Sequence, residues 1–230
     1  MISVFSRFCK IVLLCVSAFS AVSPWVVHAE EMTVKPTATT LPAIQLPVPA
    51  KTNGAALGPV LASRCSCRAY DGKKLDAQTL SDLLWATAGT NRPDGRRTAP
   101  SAYGAQSIEL YVVLERGVYS YQAQKNVLAP VLAGNFQRHT GIQDFVEQAP
   151  VNLLFVADLT KLPVADKRQL FFLLGVDAGT MSQNASLFCA SKGLGTVVRA
   201  GIDGPAFDKI LGLPSTKRIL LAQTIGWPAK

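Results

Sequence analysis

Residues 151–202 read VNLLFVADLTKLPVADKRQLFFLLGVDAGTMSQNASLFCASKGLGTVVRAGI. The first nine are apolar almost throughout, as in a central strand covered on both faces. A long helix is predicted next, over about 166–192. It contains LFFLLGV, but Asp177 interrupts the apolar run, which argues for a buried helix and against a membrane span. Gly175 and Gly179, with Ala178 and Ser182 nearby, give that helix a small-residue face that permits close packing. Gly193-Leu-Gly195 ends it, and TVVRAGI (196–202) reads as another strand.

Outward from this stretch, strands and helices continue to mix. A short helix covers AALGPVLASR (55–64). Asp76 is the expected N-cap of a helix over 77–88, where Leu80, Leu83, Leu84, Thr87 and Ala88 follow the three/four spacing and Gly89 closes the last turn. NRPDGRR (91–97) is a turn-rich loop. SIELYVVL (107–114) is a strand, and Gly117 turns it into VYSY (118–121). A polar helix, broken at Gly134 and Gly141, is predicted over about 129–148. Downstream, GPAFDKILG (204–212) is a helix and RILLAQTIG (218–226) the last strand. No βαβ unit carries GxGxxG in its first turn, which disfavours a Rossmann domain. The expected class is α+β, with a mostly antiparallel sheet flanked by helices.

At the N-terminus, a basic start (Arg7, Lys10), an apolar stretch from Ile11 to Val27 and the end Val27-His28-Ala29 have the parts of a secretory signal peptide over 1–29. The protein is therefore expected to be exported, periplasmic or secreted. Residues 30–54, with four prolines, read as an extended leader or tether, and 55–230 as the folded domain. Cleavage leaves 21 of the 23 basic side chains against 15 acidic ones, with no dense basic run, so nucleic-acid binding has little support.

Cleavage also leaves one histidine, His139, and three cysteines, Cys65, Cys67 and Cys189. One histidine excludes a multi-histidine zinc site, and without CxxC spacing a cysteine-rich structural zinc has no basis either. No metal ligands are expected. Neither GxSxG nor GxxxxGK[ST] is present, which leaves nucleophile-elbow hydrolysis and P-loop chemistry unsupported. His139, in QRHTG, reads as a surface residue. The cysteines read as buried or partly buried thiols, because a bridge between Cys65 and Cys67 would close a strained ring.

Three segments can carry chemistry. Arg64, Ser66 and Arg68 put two guanidinium groups and a hydroxyl within five residues. They can grip a phosphate dianion through charge-assisted bonds or lie on a solvated face. Pro100, Ser101, Ala102, Tyr103 and Gly104 form a small-residue loop that would let backbone approach a flat ligand, or simply lead into the next strand. Gly193-Leu-Gly195 through Ala200-Gly201 reads as a helix cap, a strand and a turn.

In this order the segments resemble the nitroreductase superfamily, and specifically its SagB-type dehydrogenase branch. The likeness spans nearly all of 55–230. It rests on RCSCRAY, LDAQTLSDLLWATAGTNR, RTAPSAYGAQSIELYVV, GVYSY, APVNLLFVADL, VDAGTMSQNASLFCASKGLGTVV and ILLAQTIGWP. The resemblance implies an FMN-dependent oxidoreductase acting as a homodimer with two flavins at the subunit interface. NAD(P)H or another donor would pass a hydride through flavin N5 to a small electron-poor acceptor of the nitro or quinone type. Arg64, Ser66 and Arg68 match the segment that holds the phosphate and ribityl chain. Pro100, Ser101, Ala102 and Gly104 match the loop against the isoalloxazine, contributed by the other subunit. Ala200 and Gly201 match the strand end at the pyrimidine edge, and Lys230 is the C-terminal candidate for a phosphate contact. No side chain is assigned as a catalytic acid or base. Two alternatives belong to the same resemblance. One is a SagB-like dehydrogenase of a peptide or small metabolite. The other is an exported flavin-binding protein without turnover, suggested by Cys65 and Gly104, where relatives carry arginine and asparagine.

Overall fold

The structure is a computed structural model that describes residues 40–52 and 54–230. The predicted signal segment, residues 1–29, lies outside the described residues.

Seven strands form one antiparallel sheet in the order β1-β4-β3-β2-β5-β7-β6. They are β1 (Ile44–Gln45), β2 (Ile108–Leu114), β3 (Gly117–Gln122), β4 (Val127–Ala133), β5 (Val151–Asp158), β6 (Gly195–Arg199) and β7 (Lys217–Gly226). Every residue of β5 from Val151 to Ala157 is buried, so the sheet needs cover on both sides. On one face lie α2 (Ala77–Ala88) and α3 (Lys167–Lys192), whose Leu83, Leu84, Leu174, Ala178 and Ala185 close over Leu110, Val112, Leu153 and Phe155. On the other, Phe207 and Leu211, from α4 (Gly204–Ile210) and its C-cap, cover Tyr111, Val113, Leu154 and Val156. Each fully buried leucine or phenylalanine contributes about 1.5–3 kcal/mol.

The local readings explain most elements. Asp76 accepts a 2.8 Å bond from Thr79 N, and all five predicted stripe residues of α2 are buried. Gly193 caps α3 in the left-handed region at φ 70°. The short helix α1 runs Leu57–Ser63, and β6 ends at Arg199, three residues earlier than expected.

The polar helix predicted over 129–148 does not form. VLAPVLA is β4, paired with β3, and two isolated 3₁₀ turns follow at Gln137–Thr140 and Asp144–Val146. Pro130 sits where the register with β3 shifts, between Val118 and Tyr119; a residue without an N–H is tolerated at such a bulge. The edge of β3 offered hydrogen bonds to a sequence whose helical pattern was already interrupted.

The leader is extended over its described part, but it is docked. Ile44 and Gln45 pair with Leu128 and Val127 of β4. The Pro47 carbonyl accepts bonds from the Ser81 hydroxyl (2.6 Å) and Asn126 Nδ2 (2.7 Å). Ala50 N donates to the buried carboxylate of Asp82 at 2.7 Å. This arm covers an edge that would otherwise expose unpaired backbone groups.

Asn126 holds the arm while adopting φ 52° itself, so Asn126→Gly removes the side-chain bonds without straining the turn. Trypsin cleavage after the exposed Lys51 is expected to accelerate in this variant, as followed by mass spectrometry of the released fragment.

Candidate active site

One half of the site is built on edge strand β6. The chain from Arg64 to Arg68 runs beside it, with Ser66 bridged in parallel to Thr196 and Cys67 N donating to Thr196 O at 2.9 Å. The approach is close because residue 195 is glycine: a Cβ there would meet Cys67 Sγ at 2.6 Å. Arg64, Ser66 and Arg68 are all exposed. Among the described residues neither arginine has a carboxylate partner. At the other end of β6, Ala200 is exposed and Gly201 half-buried. Arg64, Ser66, Arg68, Ala200 and Gly201 thus share one border of the sheet. Two arginines, a free hydroxyl and small-residue backbone fit the phosphate and planar ring of a flavin nucleotide. Lys230 is exposed at the chain end.

What holds the Ala200–Gly201 turn is Arg199, a residue that the sequence reading passed over as part of a strand. Its side chain is 6% exposed. Nη1 donates to Thr140 O (2.7 Å), Nε to Thr224 Oγ1 (3.0 Å) and Nη2 to Asn152 Oδ1 (3.2 Å). Burial pulls its pKa down to about 10, partly offset by Tyr70, so it stays charged at neutral pH. A Cβ at Gly141 would collide with this guanidinium. From that loop Ile142 N donates to Gly201 O at 3.2 Å. The only signal in the sequence was a charge inside the apolar run TVVRAGI.

The other half is the turn Pro100–Gly104, held by the Asp177 carboxylate of α3. Ser101 Oγ donates to Asp177 Oδ2 (2.8 Å), Ala102 N to Oδ1 (2.9 Å) and Ser107 Oγ to Oδ2 (3.3 Å). Gln106 N closes the turn onto Ser101 Oγ at 2.9 Å. The Ser101 hydroxyl is therefore occupied within the loop, leaving backbone and the neighbouring small residues to face a ligand. Tyr103 is 70% exposed in a left-handed conformation, φ 54°, which costs about 1 kcal/mol for a residue of this kind. A cavity of about 490 Å³ opens over the turn, with Arg92, Arg96 and Arg97 in its wall. Asp177 drew notice in the sequence as an interruption of the apolar run and as part of the motif VDAGTMSQN, without a role of its own.

The two halves do not meet within one chain. The Pro100 turn leads into the start of β2, and β6 lies three strand spacings away across β5 and β7. That is roughly 14 Å across the sheet. Along the strands, Thr196 is level with Ile225 and Val151, and Arg199 with Ala222 and Leu154, while Ile108 is level with Ala157, further offsets of roughly 20 Å for the arginine segment and roughly 10 Å for the Ala200 end.

Two smaller expectations are corrected. His139 is half-buried rather than a surface residue, with its ring 5.7 Å from Phe136 and 6.0 Å from Phe207, and its Nδ1 is buried without a partner among the described residues. The sequence could not show that Phe207 comes back to stack on it. Of the cysteines, Cys65 is exposed, Cys67 half-buried and Cys189 buried, all as free thiols. Burial pushes the Cys189 thiol far up, which makes it unreactive.

The family profile described as "Nitroreductase family" matches residues 61–227. A nitroreductase-like protein of Methanocaldococcus jannaschii is 29% identical over 148 residues, covering 60% of this chain and 75% of that protein. The NADPH-flavin oxidoreductase of Vibrio harveyi is 34% identical over 96 residues, covering 38% of this chain but only 40% of that protein. A crystal structure of a nitroreductase-like protein from Ralstonia eutropha JMP134 is 38% identical, with a TM-score of 0.79, and covers 85% of this chain and 94% of its own.

Asp177→Ala strands three donors of the turn. It is expected to cost about 2–4 kcal/mol, with Asp177→Asn losing less, as measured by urea denaturation. A second expectation concerns pH. Burial, reinforced by Arg138, holds the His139 pKa below the ordinary 6.5, so the unfolded chain takes up that proton first. The stability owed to neutral His139 is complete above 6.5 and declines as the pH falls below it. His139→Phe should flatten the melting-temperature slope between neutral pH and the window below 6.5.

Proposed function

Because the chain belongs to the nitroreductase family, it is a flavin-dependent oxidoreductase, and we propose that it binds FMN and passes a hydride from NAD(P)H or another donor to an electron-poor acceptor of the nitro or quinone type. The observation that carries this reading is the pair of guanidinium groups, Arg64 and Arg68, which have no carboxylate partner among the described residues and flank the Ser66 hydroxyl on the β6 border that ends in the small-residue turn Ala200–Gly201. When bound, a flavin supplies a ring system that accepts and returns a hydride. The chain's own residues do the rest. Arg64, Ser66 and Arg68 bind phosphate, and the Ala200–Gly201 backbone, steadied by Arg199, faces the edge of the ring. Pro100, Ser101, Ala102 and Gly104, fixed by Asp177, present a flat backbone surface to its face. The NADPH in the name of the Vibrio harveyi relative supports a nicotinamide donor.

The separation of the two halves supports a homodimer, in which the Pro100 turn of one copy meets the β6 border of the other. Apolar surface for such contact is present. On α3, Phe171 (43%), Phe172 (68%) and Val176 (47%) are exposed beside Gly175 and Gly179, where a Cβ would meet nothing within 4 Å; on α1, Leu57 (62%) and Leu61 (52%) are exposed. The glycine face that the sequence marked for close packing is open to a second copy of the chain.

The finer placement in the SagB-type branch rests on RCSCRAY together with the helix that carries LLWA, the Pro-Ser-Ala loop at 100–102 and the long helix that carries VDAGTMSQNASLFCASKGLG. Export to the periplasm or beyond rests on the basic and apolar pattern of residues 1–29, and N-terminal sequencing of the native protein tests it. No described helix is long and apolar enough to cross a membrane.

The decisive measurement is the absorbance spectrum of the purified protein before and after anaerobic NADPH. Yellow protein that bleaches is the expected result. Protein that stays colourless after addition of FMN sinks the assignment. Arg68→Ala should weaken FMN binding by more than about 1.5 kcal/mol, roughly tenfold; unchanged retention would remove the phosphate from this border. Light scattering at micromolar concentration should give a dimer, and a monomer would contradict the two-chain site.

A further inference from the structure

Behind the Pro100 turn, on the other side of Gln106, lies a second cavity of about 420 Å³ with four cations in its wall: Arg97, Lys125, Lys161 and Lys217, facing Glu109. Glu109 is already engaged. Both of its oxygens accept from Lys217 Nζ at 2.8 Å, in a half-buried pair that is neutral as a unit. Among the described residues the other three cations have no carboxylate within 4 Å. The Arg97 side chain gives one hydrogen bond, from Nη1 to Ile108 O at 2.7 Å, although a guanidinium carries five N–H donors. Burial depresses its pKa. Lys161 Nζ makes a long bond of 3.4 Å to Gln106 O.

Arg97 lies in the field of Glu109 and Lys161 in that of Asp158, yet three cations beyond the Lys217–Glu109 pair leave the walls positive, and their fields add inside the concavity in favour of an anion. Arg97 and Gln106 also stand in the wall of the cavity over the Pro100 turn. The two chambers therefore share a wall, at which Gln106 Nε2 donates to Gly95 O at 3.1 Å, so a molecule reaching past Gln106 would touch both.

We propose that this chamber is an anion subsite of the active site, taking a phosphate monoester or carboxylate on a substrate whose other end lies at the Pro100–Gly104 turn. The assignment rests on the oxidoreductase reading above. Arg97 supplies a planar donor fork in the wall that the chambers share, and Lys125 and Lys161 stand at the exposed rim as point charges. A donor phosphate and an acceptor carboxylate present the same chemistry to these groups.

The test uses the full-length protein and inorganic phosphate, titrated calorimetrically at low ionic strength. Lys125 and Lys161 are exposed and make no ion pair among the described residues, so Lys125→Ala and Lys161→Ala should fold normally. In the Arg68→Ala background, where the β6 border no longer competes for phosphate, saturable binding that weakens roughly tenfold for each lysine removed is the expected result. No saturable binding, or equal binding in the Lys125→Ala/Lys161→Ala double variant, overturns the site. A second arm uses flavin-loaded protein and compares KM for NADPH with NADH, and for a nitrobenzoate with an uncharged quinone. The double variant should raise KM only for the anion-bearing member of one pair, which identifies the source. If no KM moves, the chamber is not part of the active site. Protein that binds phosphate at these lysines yet never takes up flavin would overturn the function proposed above and leave the anion site standing.

Discussion

Strand β5 is buried on both faces along seven consecutive residues, from Val151 to Ala157. Such a strand cannot be solvated on either side, so helices must lie above and below it. β2 and β7 take their register directly from β5, and β6 takes its own from β7. The start of β2 carries the Pro100 turn, and the border of β6 carries the arginine segment. The distance between the two halves of the site is therefore set by a strand that belongs to neither.

Each half is then fixed by one buried charge. Asp177 gathers hydroxyl and amide donors of the 101–107 turn onto α3, and Arg199 gathers carbonyl and hydroxyl acceptors from the 140 loop, β5 and β7. A charge taken out of water is tolerable only when its hydrogen-bonding capacity is met. That requirement makes both clusters rigid: moving the turn or the loop would leave a bare ion in the interior. Rigidity of this kind suits a site whose contribution is to hold a cofactor in place. The cations that share a cavity with Glu109 depart from this pattern, since among the described residues most of the donors of Arg97 and Lys161 are left unmet.

Much of this was legible beforehand. The Asp76 cap, the α2 stripe, the apolar run of β5 and the Gly193 cap are local patterns with local consequences, and each formed where its residues predicted. The stretch 129–148 misled because VLAPVLA is short and apolar, a run in which helix and strand periods cannot be told apart. Its outcome depended on the free edge of β3, which lies several residues away in the chain. His139 misled for a similar reason, since the ring that buries it, Phe207, arrives from α4. Asp177 and Arg199 were visible as charges in apolar runs, but a lone charge does not say which donors or acceptors will reach it.

What the sequence by itself determined was the set of elements and their amphipathic faces, since hydrophobic period, capping residues and turn residues act over a few positions. It also carried the motifs of the family to which the chain belongs. The tertiary structure alone decided which of those motifs share a border. The arginine segment and Ala200–Gly201 meet along β6, whereas the Pro100 turn stands three strands away, because strand order is settled by register and by burial across the whole sheet. It also decided that Arg97, Lys125, Lys161 and Lys217, spread over some 120 positions of chain, line one cavity. Charges so far apart in sequence converge only when the ends of β2, β3, β5 and β7 are brought together.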